Sequence, residues 1–313
     1  MARVTVVGGG VIGLTAALGL ARAGHEVCCV RDEPVADTTS AVAGGLWFPY
    51  HVQPRDRVLA WGRVSLDAFT LLARNPDAGV ALREGVVVER GVPDRWWTGA
   101  VPVWREARPD ELPPGASGGV VATLPLVTMP VFLPWLETRC VEAGVELVRG
   151  WVSGLANVPG DVVVVAAGLR SGTLVDDHAG TPSRGQVALL ANPGLQRWLV
   201  DDEHPDGMVY VLPHPGWLVC GGTDLAGSWH AEPDSHVHEA ILRRVRAVVP
   251  ELASVEVLGA RVGLRPMAPE VRLAASERGG RPVVTCYGHG GAGVTLSWGC
   301  ADEVVRLVAA ATG

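Results

Sequence analysis

The segment Tyr287-Gly-His-Gly-Gly-Ala-Gly-Val-Thr-Leu-Ser-Trp-Gly299 carries Gly288, Gly290, Gly291 and Gly293 directly after the apolar run Pro282-Val-Val-Thr-Cys286. Glycines at such spacing reach positive φ and let a flat ligand approach the backbone closely. Helical spacing of Val304, Val305, Leu307 and Val308 predicts a helix over 294–311, whose first N–H groups and positive dipole end would face an electron-rich group. A turn built of glycine for steric reasons alone is the plain alternative. A second constellation weakens it. Arg3-Val-Thr-Val-Val7 runs into Gly8-Gly-Gly10-Val-Ile-Gly13 and an Ala/Leu-rich stretch ending at Gly24, and a second strand over 26–30 leads to Arg31 and Asp32. That is the dinucleotide fingerprint in its required context. Gly8 makes the tight turn, Gly10 admits the pyrophosphate, Val11 and Ile12 open the helix, Gly13 packs helix on strand, and an acid roughly 20 positions on meets the ribose hydroxyls.

Elements able to position these residues interleave along the chain. The stretch 37–50 is too irregular for helix or strand, and an amphipathic helix is expected over 55–73 from Val58, Leu59, Phe69 and Leu72. Strands are expected over 80–89 and 101–106, a Pro/Gly-rich loop over 109–119, a helix over 131–143, and strands over 145–152 and 161–166. The run Asp161-Val-Val-Val-Val-Ala-Ala-Gly168 has the continuous apolarity of a strand buried on both faces. A sheet-rich region follows, with strands near 184–190, 208–212, 217–222 and 255–263 and a helix over 235–248. The expected fold class is α/β, a Rossmann-like nucleotide-binding domain (1–47, 131–180 and 262–313) interleaved with a sheet-rich α+β substrate domain (48–130 and 181–261).

Composition narrows the function classes. With 313 residues, 48% of them hydrophobic, the chain can bury a core large enough for two domains. A formal charge of −7 without Lys/Arg runs argues against nucleic acid and anionic membrane surfaces. The N-terminal apolar residues read as strand and helix rather than as a signal peptide, and no stretch has the length of a membrane span. Cys28, Cys29, Cys140, Cys220, Cys286 and Cys300 form no C-x-x-C pair and read as reduced core residues, which points to a cytoplasmic setting. No His/Cys/Asp arrangement has metal-ligand spacing, so no metal is expected.

A Rossmann unit alone does not separate NAD from FAD. The C-terminal glycine segment favours FAD, whose isoalloxazine lies far from its adenosine and needs contacts from a distant part of the chain. The motifs Val6-Val-Gly-Gly-Gly-Val-Ile-Gly-Leu14, Ala43-Gly-Gly-Leu-Trp-Phe-Pro-Tyr50, Arg184-Gly-Gln186, Val209-Tyr-Val-Leu-Pro213, Gly221-Gly-Thr223, Gly263-Leu-Arg-Pro266, Val271-Arg-Leu273 and Tyr287-Gly-His-Gly-Gly-Ala-Gly-Val-Thr295 occur in this order. In that order they resemble the D-amino acid oxidase and D-aspartate oxidase family over almost the whole chain. The resemblance implies FAD as cofactor and a D-amino acid and dioxygen as substrates, with 2-oxo acid, ammonia and hydrogen peroxide as products. It implies that Arg265 holds the substrate carboxylate, that the Tyr210 hydroxyl adds a bond to it, and that the Gly291 carbonyl accepts from the substrate amine. A planar guanidinium suits the first task, because it pairs bidentately and fixes orientation. By the same resemblance Arg31 and Asp32 meet the adenosine side. Thr39, Ser40, Gly44, Gly45, Leu46, the Val152 backbone, Gly290, Gly291, Gly293, Val294 and Thr295 meet the rest of FAD.

Plainer roles stand beside these. Arg265 has a structural alternative as an ion-pair arginine, Tyr210 as a core tyrosine, and Arg261 and Arg272 carry either reading. His289 is kept out of the catalytic set, because hydride transfer from Cα needs no protein acid or base in line. Where some relatives carry a lid tyrosine four residues before the carboxylate-binding one, this chain has Asp206. Asp206 at the mouth disfavours acidic substrates, and Phe48 and Leu212 would line an apolar pocket. The expected substrates are therefore neutral, medium to large D-amino acids, with basic ones admitted through Asp206. A glycine- or sarcosine-oxidase-like amine oxidase, and a flavin- or NAD-binding protein without oxidase turnover, are the alternatives. A homo-oligomer is compatible with the sequence.

Overall fold

A computed structural model describes residues 1–313. The nucleotide-binding half opens with β1 (Arg3–Val7), α1 (Val11–Arg22) and β2 (Glu26–Arg31), followed by the short α2 (Thr39–Val42) and by α3 (Arg55–Leu72). Then come β3 (Val80–Glu89), β4 (Trp104–Glu106), β5 (Gly118–Val127), α4 (Met129–Glu142), β6 (Glu146–Arg149), β7 (Val162–Val165) and α5 (Ser171–Leu174). The second part of the chain adds β8 (Thr181–Ala191), β9 (Trp198–Asp201), β10 (Val209–His214), β11 (Trp217–Gly221), β12 (Leu225–Ala226), α6 (Ser235–Val248), β13 (Val257–Arg278), β14 (Arg281–His289) and α7 (Gly293–Thr312).

All fourteen strands belong to one mixed sheet with the order β4-β5-β3-β9-β10-β11-β8-β13-β14-β7-β1-β2-β6, and β12 pairs with β8 off this path. From β14 to β6 every pairing is parallel, as helical crossovers require. Val162 to Val165 are all fully buried in this part, which matches their unbroken apolarity. From β13 to β4 the pairings are antiparallel except that between β3 and β9. The expected α/β class with a Rossmann-like unit and a sheet-rich partner is the one observed.

The 22-residue β13 joins the two halves, pairing with β8 through its first part and with β14 through its second. The sequence reading ended this strand at 263 because Pro266, glycines and arginines interrupt its apolarity. The domain edge expected at 262 therefore falls inside a strand that crosses from one half of the sheet to the other. The loop expected over 109–119 ends short of Gly118, and 118–127, of which 120–127 carried no expected element, is the well-buried β5. Its pairing with both β3 and β4 overrides the Gly118-Gly119 start that looked like a loop. The cysteines are all free; five are buried and Cys28 is intermediate, which agrees with the core reading.

Candidate active site

One cavity of about 420 Å³ runs from the N-terminal fingerprint to Arg265 and the C-terminal glycine segment. Gly8, Gly10, Val11, Ile12, Arg31 and Asp32 line its nucleotide end, where β1 hands over to α1. Helix α1 starts at Gly10 with no side-chain cap, and Ser40 Oγ accepts the Val11 N–H at 3.0 Å. The remaining first-turn N–H groups are left for an anion, as a pyrophosphate site demands. Gly13 does not line the cavity. A Cβ there would overlap the carbonyl oxygen of Gly8, which is the helix-on-strand packing role expected of the third fingerprint glycine. Arg31 is paired with Glu137, and Asp32 accepts from Arg170 at 2.6 Å. Arg170 also donates to the Val152 carbonyl at 2.6 Å and stacks over Trp151. That arginine was not singled out in the sequence, because its partners lie 138 and 18 positions away.

Thr39, Ser40, Gly44, Gly45, Leu46 and Val152 line the middle of the cavity, and Gly290, Gly291, Gly293 and Val294 its C-terminal wall. Gly45, at φ +79°, lies against the Val127 backbone, so its lack of a side chain is a packing requirement. The same is true of much of the C-terminal segment. A Cβ on Gly290 would meet the Met267 sulfur at 2.8 Å, and one on Gly291 would meet Tyr50 at 3.0 Å. Only Gly293 of that group faces open space, its nearest neighbour being Val11 Cγ1 at 3.9 Å. Thr295 is the one residue of this group that does not line the cavity. It is 1% exposed and outside the cavity lining, and its hydroxyl bonds the Phe48 N–H at 3.0 Å and the Phe48 carbonyl at 2.9 Å, tying α7 to the pocket wall.

Arg265 and Tyr210 come together through glycines in neighbouring strands. Gly185, one residue along the ladder from the partner of Leu264, leaves space that the Arg265 guanidinium fills. Gly221, directly opposite Tyr210, and Gly222 do the same for the tyrosine ring. Arg265 Nη1 donates to the Thr223 carbonyl at 2.8 Å and lies 3.6 Å from Asp224 Oδ1. Asp224 also accepts from Tyr50 Oη at 3.1 Å and from Ser183, with His51 Nδ1 3.7 Å away. These neighbours, His51 first, hold its carboxyl well below the usual carboxylate range. Burial pushes the Tyr210 hydroxyl up, keeping it a neutral donor. Asp224 and Tyr50 are neighbours of Arg265 that the sequence does not single out, although each adjoins or closes a quoted motif. Arg184 and Gln186 are a buried brace: Arg184 bonds Gln186, the His230 carbonyl and the Glu232 carbonyl. Arg272 is an ion-pair arginine, 3.1 Å from both Asp177 and Glu270 and outside the cavity, and Arg261 is exposed.

Phe48 and Leu212 line the cavity as expected. Asp206 does not. It is exposed, and the acid of this turn that lines the cavity is Asp202, four residues earlier between β9 and β10. Counting back from Tyr210 missed this, because a turn's path is set by its own glycine and hydrogen bonds and not by strand periodicity. A side-chain cluster appears that linear spacing did not show. The chain has no metal-ligand spacing, yet folding brings Cys286, His289 and Cys300 together, all buried, with ligand atoms within 4.8 Å of one another. The Cys286 and Cys300 thiols face each other, and the Cys300 thiol with His289 Nε2, 4.0 Å away, makes Cys286 the more readily ionised of the two.

His214, at the end of β10, holds the cavity wall from behind. Its ring lies 3.0 Å from the Gly44 carbonyl and 3.1 Å from Thr128 Oγ1, and burial lowers its pKa to about 4. The unfolded chain therefore takes up this proton near pH 6.5 while the folded chain resists it down to about 4, so stability falls as pH falls through that window. The loss attributable to this group is about 3 kcal/mol. Urea unfolding at pH 7 and pH 4.5 is expected to show a smaller acid loss in His214→Gln than in the parent, and an equal loss would remove His214 as the cause.

The model of the FAD dependent oxidoreductase family matches residues 3–307. The chain is 46% identical over 316 residues to the D-amino-acid oxidase of Rubrobacter xylanophilus, covering 99% of this chain and 97% of that one. It is also 46% identical over 312 residues to the D-amino-acid oxidase of Streptomyces coelicolor, covering 97% and 96%. Among solved structures, the glycine oxidase of Geobacillus kaustophilus superposes with a TM-score of 0.84 at 20% identity, covering 99% of this chain and 95% of that one, a likeness of fold.

Proposed function

Because this chain belongs to the FAD-dependent oxidoreductase family, we propose that it is a D-amino-acid oxidase, converting D-amino acids, dioxygen and water to 2-oxo acids, ammonia and hydrogen peroxide. The observation that carries the reading is the convergence of Arg265, Tyr210 and Gly291 on the cavity that begins at the nucleotide fingerprint. FAD fits this cavity on two counts. Two helix N-termini without side-chain caps, at Gly10 and Ala292, adjoin it, and Gly293 leaves open space at the second of them. When bound, FAD supplies the two-electron acceptor.

The chain's own residues do the rest by binding and orientation. Gly8, Gly10, Val11 and Ile12 would hold the pyrophosphate and Asp32 the ribose, while Gly293 and Val294 would meet the flavin ring. Arg265 would take the substrate carboxylate in its planar fork, and the neutral Tyr210 hydroxyl would donate a further bond. The Gly291 carbonyl would accept from the substrate amine. Three fixed points present the α-hydrogen of one enantiomer only, and the gain is one of orientation. Neither the Arg265 guanidinium nor the Tyr210 phenol serves as a base at neutral pH, in keeping with hydride transfer. Phe48, packed edge-on against Trp97, and Leu212 would take neutral, medium to large side chains.

The test is peroxide release from the purified flavoprotein with a panel of D- and L-amino acids, glycine and N-methylglycine. Turnover of D-methionine or D-leucine far above glycine and the L-enantiomers is the expected result. Preference for glycine or N-methylglycine would move the chain to the amine oxidases that share its fold.

A further inference from the structure

We infer that Asp202 makes this enzyme select D-amino acids whose side chain ends in a positive charge, such as D-arginine and D-lysine. The inference rests on the D-amino-acid oxidase reading and goes beyond its neutral substrates. Asp202 is half-buried in the turn after β9 and lines the cavity that holds Arg265 and Tyr210. It also lines a second cavity, of about 470 Å³, and shares Phe48 and Tyr50 with both. The neighbouring acids are satisfied: Asp201 is paired with Arg90 at 2.6 Å, and Glu203 accepts the Arg90 backbone N–H at 3.2 Å. Asp202 has no salt bridge and no side-chain partner. Partly desolvated and with no direct partner, its carboxyl is pushed up by burial, which outweighs the opposing pull of nearby His51. Leaving such a group unpaired is costly, and a ligand cation relieves the cost.

Charge balance points the same way. Arg265 and Asp224 lie 3.6 Å apart and sum to zero, as do Arg55 with Asp94 and Arg95 with Glu89 around the second cavity. Asp202, with Glu203 in the second cavity and Glu33 at the nucleotide end, has no such cation, so the pocket is left net negative. A zwitterionic substrate keeps that excess, an acidic side chain adds to it, and a cationic side chain reduces it. The cavity also offers apolar surface to the methylene stem of such a side chain, from Phe48, Val200, Met208 and Leu212.

The test compares the holoenzyme with Asp202→Asn, which keeps the shape and removes the charge, using D-arginine and D-norleucine. The ratio of their kcat/KM values is expected to favour D-arginine in the parent, to fall at least tenfold in Asp202→Asn, and to be restored in part by Asp202→Glu. An equal loss on both substrates, or a ratio that moves less than threefold, overturns the proposal. Binding of 5-guanidinopentanoate against hexanoate, measured by calorimetry, tests it without turnover. These are carboxylates lacking the oxidisable amine, and selective loss of the guanidino ligand in Asp202→Asn is expected. Failure of every D-amino acid to release peroxide would instead sink the oxidase reading, and the calorimetric comparison would still decide the role of Asp202.

Discussion

Arg265→Ala is expected to lower kcat/KM for D-methionine by at least a hundredfold, mainly through a higher KM, with flavin still bound. The guanidinium is only 15% exposed, seated in the space that Gly185 leaves and fixed by the Thr223 carbonyl and Asp224. A pre-positioned, partly desolvated arginine loses little freedom when a carboxylate arrives. Removing one partner of such a charge pair costs about 3 kcal/mol or more, a factor of a hundred or greater. The effect is enlarged because alanine would leave the ionised Asp224 facing the substrate carboxylate. Arg265→Lys should recover only part of the loss, since an ammonium keeps the charge without the fork. Steady-state kinetics on all three proteins, with flavin absorbance as the check on folding, decides the matter. A KM within threefold of the parent in the alanine variant would reduce Arg265 to a structural ion pair with Asp224.

The second large effect separates two glycines that look alike in the sequence. Gly13→Ala places a methyl group into the Gly8 carbonyl oxygen, and backbone cannot step aside as a side chain can. Helix α1 must move off β1, and overpacking of this kind costs about 1–3 kcal/mol. A lower Tm and loss of FAD together are expected. Gly293→Ala meets nothing closer than 3.9 Å, so the apoprotein should keep its Tm, and the added methyl projects into the cavity where FAD would lie. Its expected signature is weaker FAD binding at unchanged apoprotein stability. Thermal melts of the apoproteins with FAD titration separate the two, and a Gly293→Ala protein that binds FAD as tightly as the parent would remove Gly293 from the cofactor wall.

The nucleotide-binding half was legible because its signals are local. Strand, glycine turn, helix and acid occupy a single stretch from Arg3 to Asp32, each residue dictated by backbone geometry within a few positions. The family resemblance rested in the same way on short motifs in a fixed order. What those motifs do was partly hidden. Gly185, Gly221 and Gly222 stand in quoted motifs, but their task, bedding Arg265 and Tyr210, depends on strands paired across the sheet.

Local composition likewise left most of β5 unassigned and cut β13 short, and it did not show the docking of Thr295 on Phe48. In each case cross-strand pairing or helix docking outweighed intrinsic preference. The exchange of Asp206 for Asp202 follows from an irregular turn, whose course no periodicity encodes. The Cys286, His289 and Cys300 cluster arises because the end of β14 folds back against α7. By itself the sequence determined the cofactor class and the α/β class and singled out Arg265, since these rest on short-range patterns with one structural solution. Only the tertiary structure decided which glycines are packed and which are open, what holds Arg265, and which acid of the β9–β10 turn lines the cavity. Those depend on contacts between residues tens to hundreds of positions apart, formed only when the single sheet has closed its register.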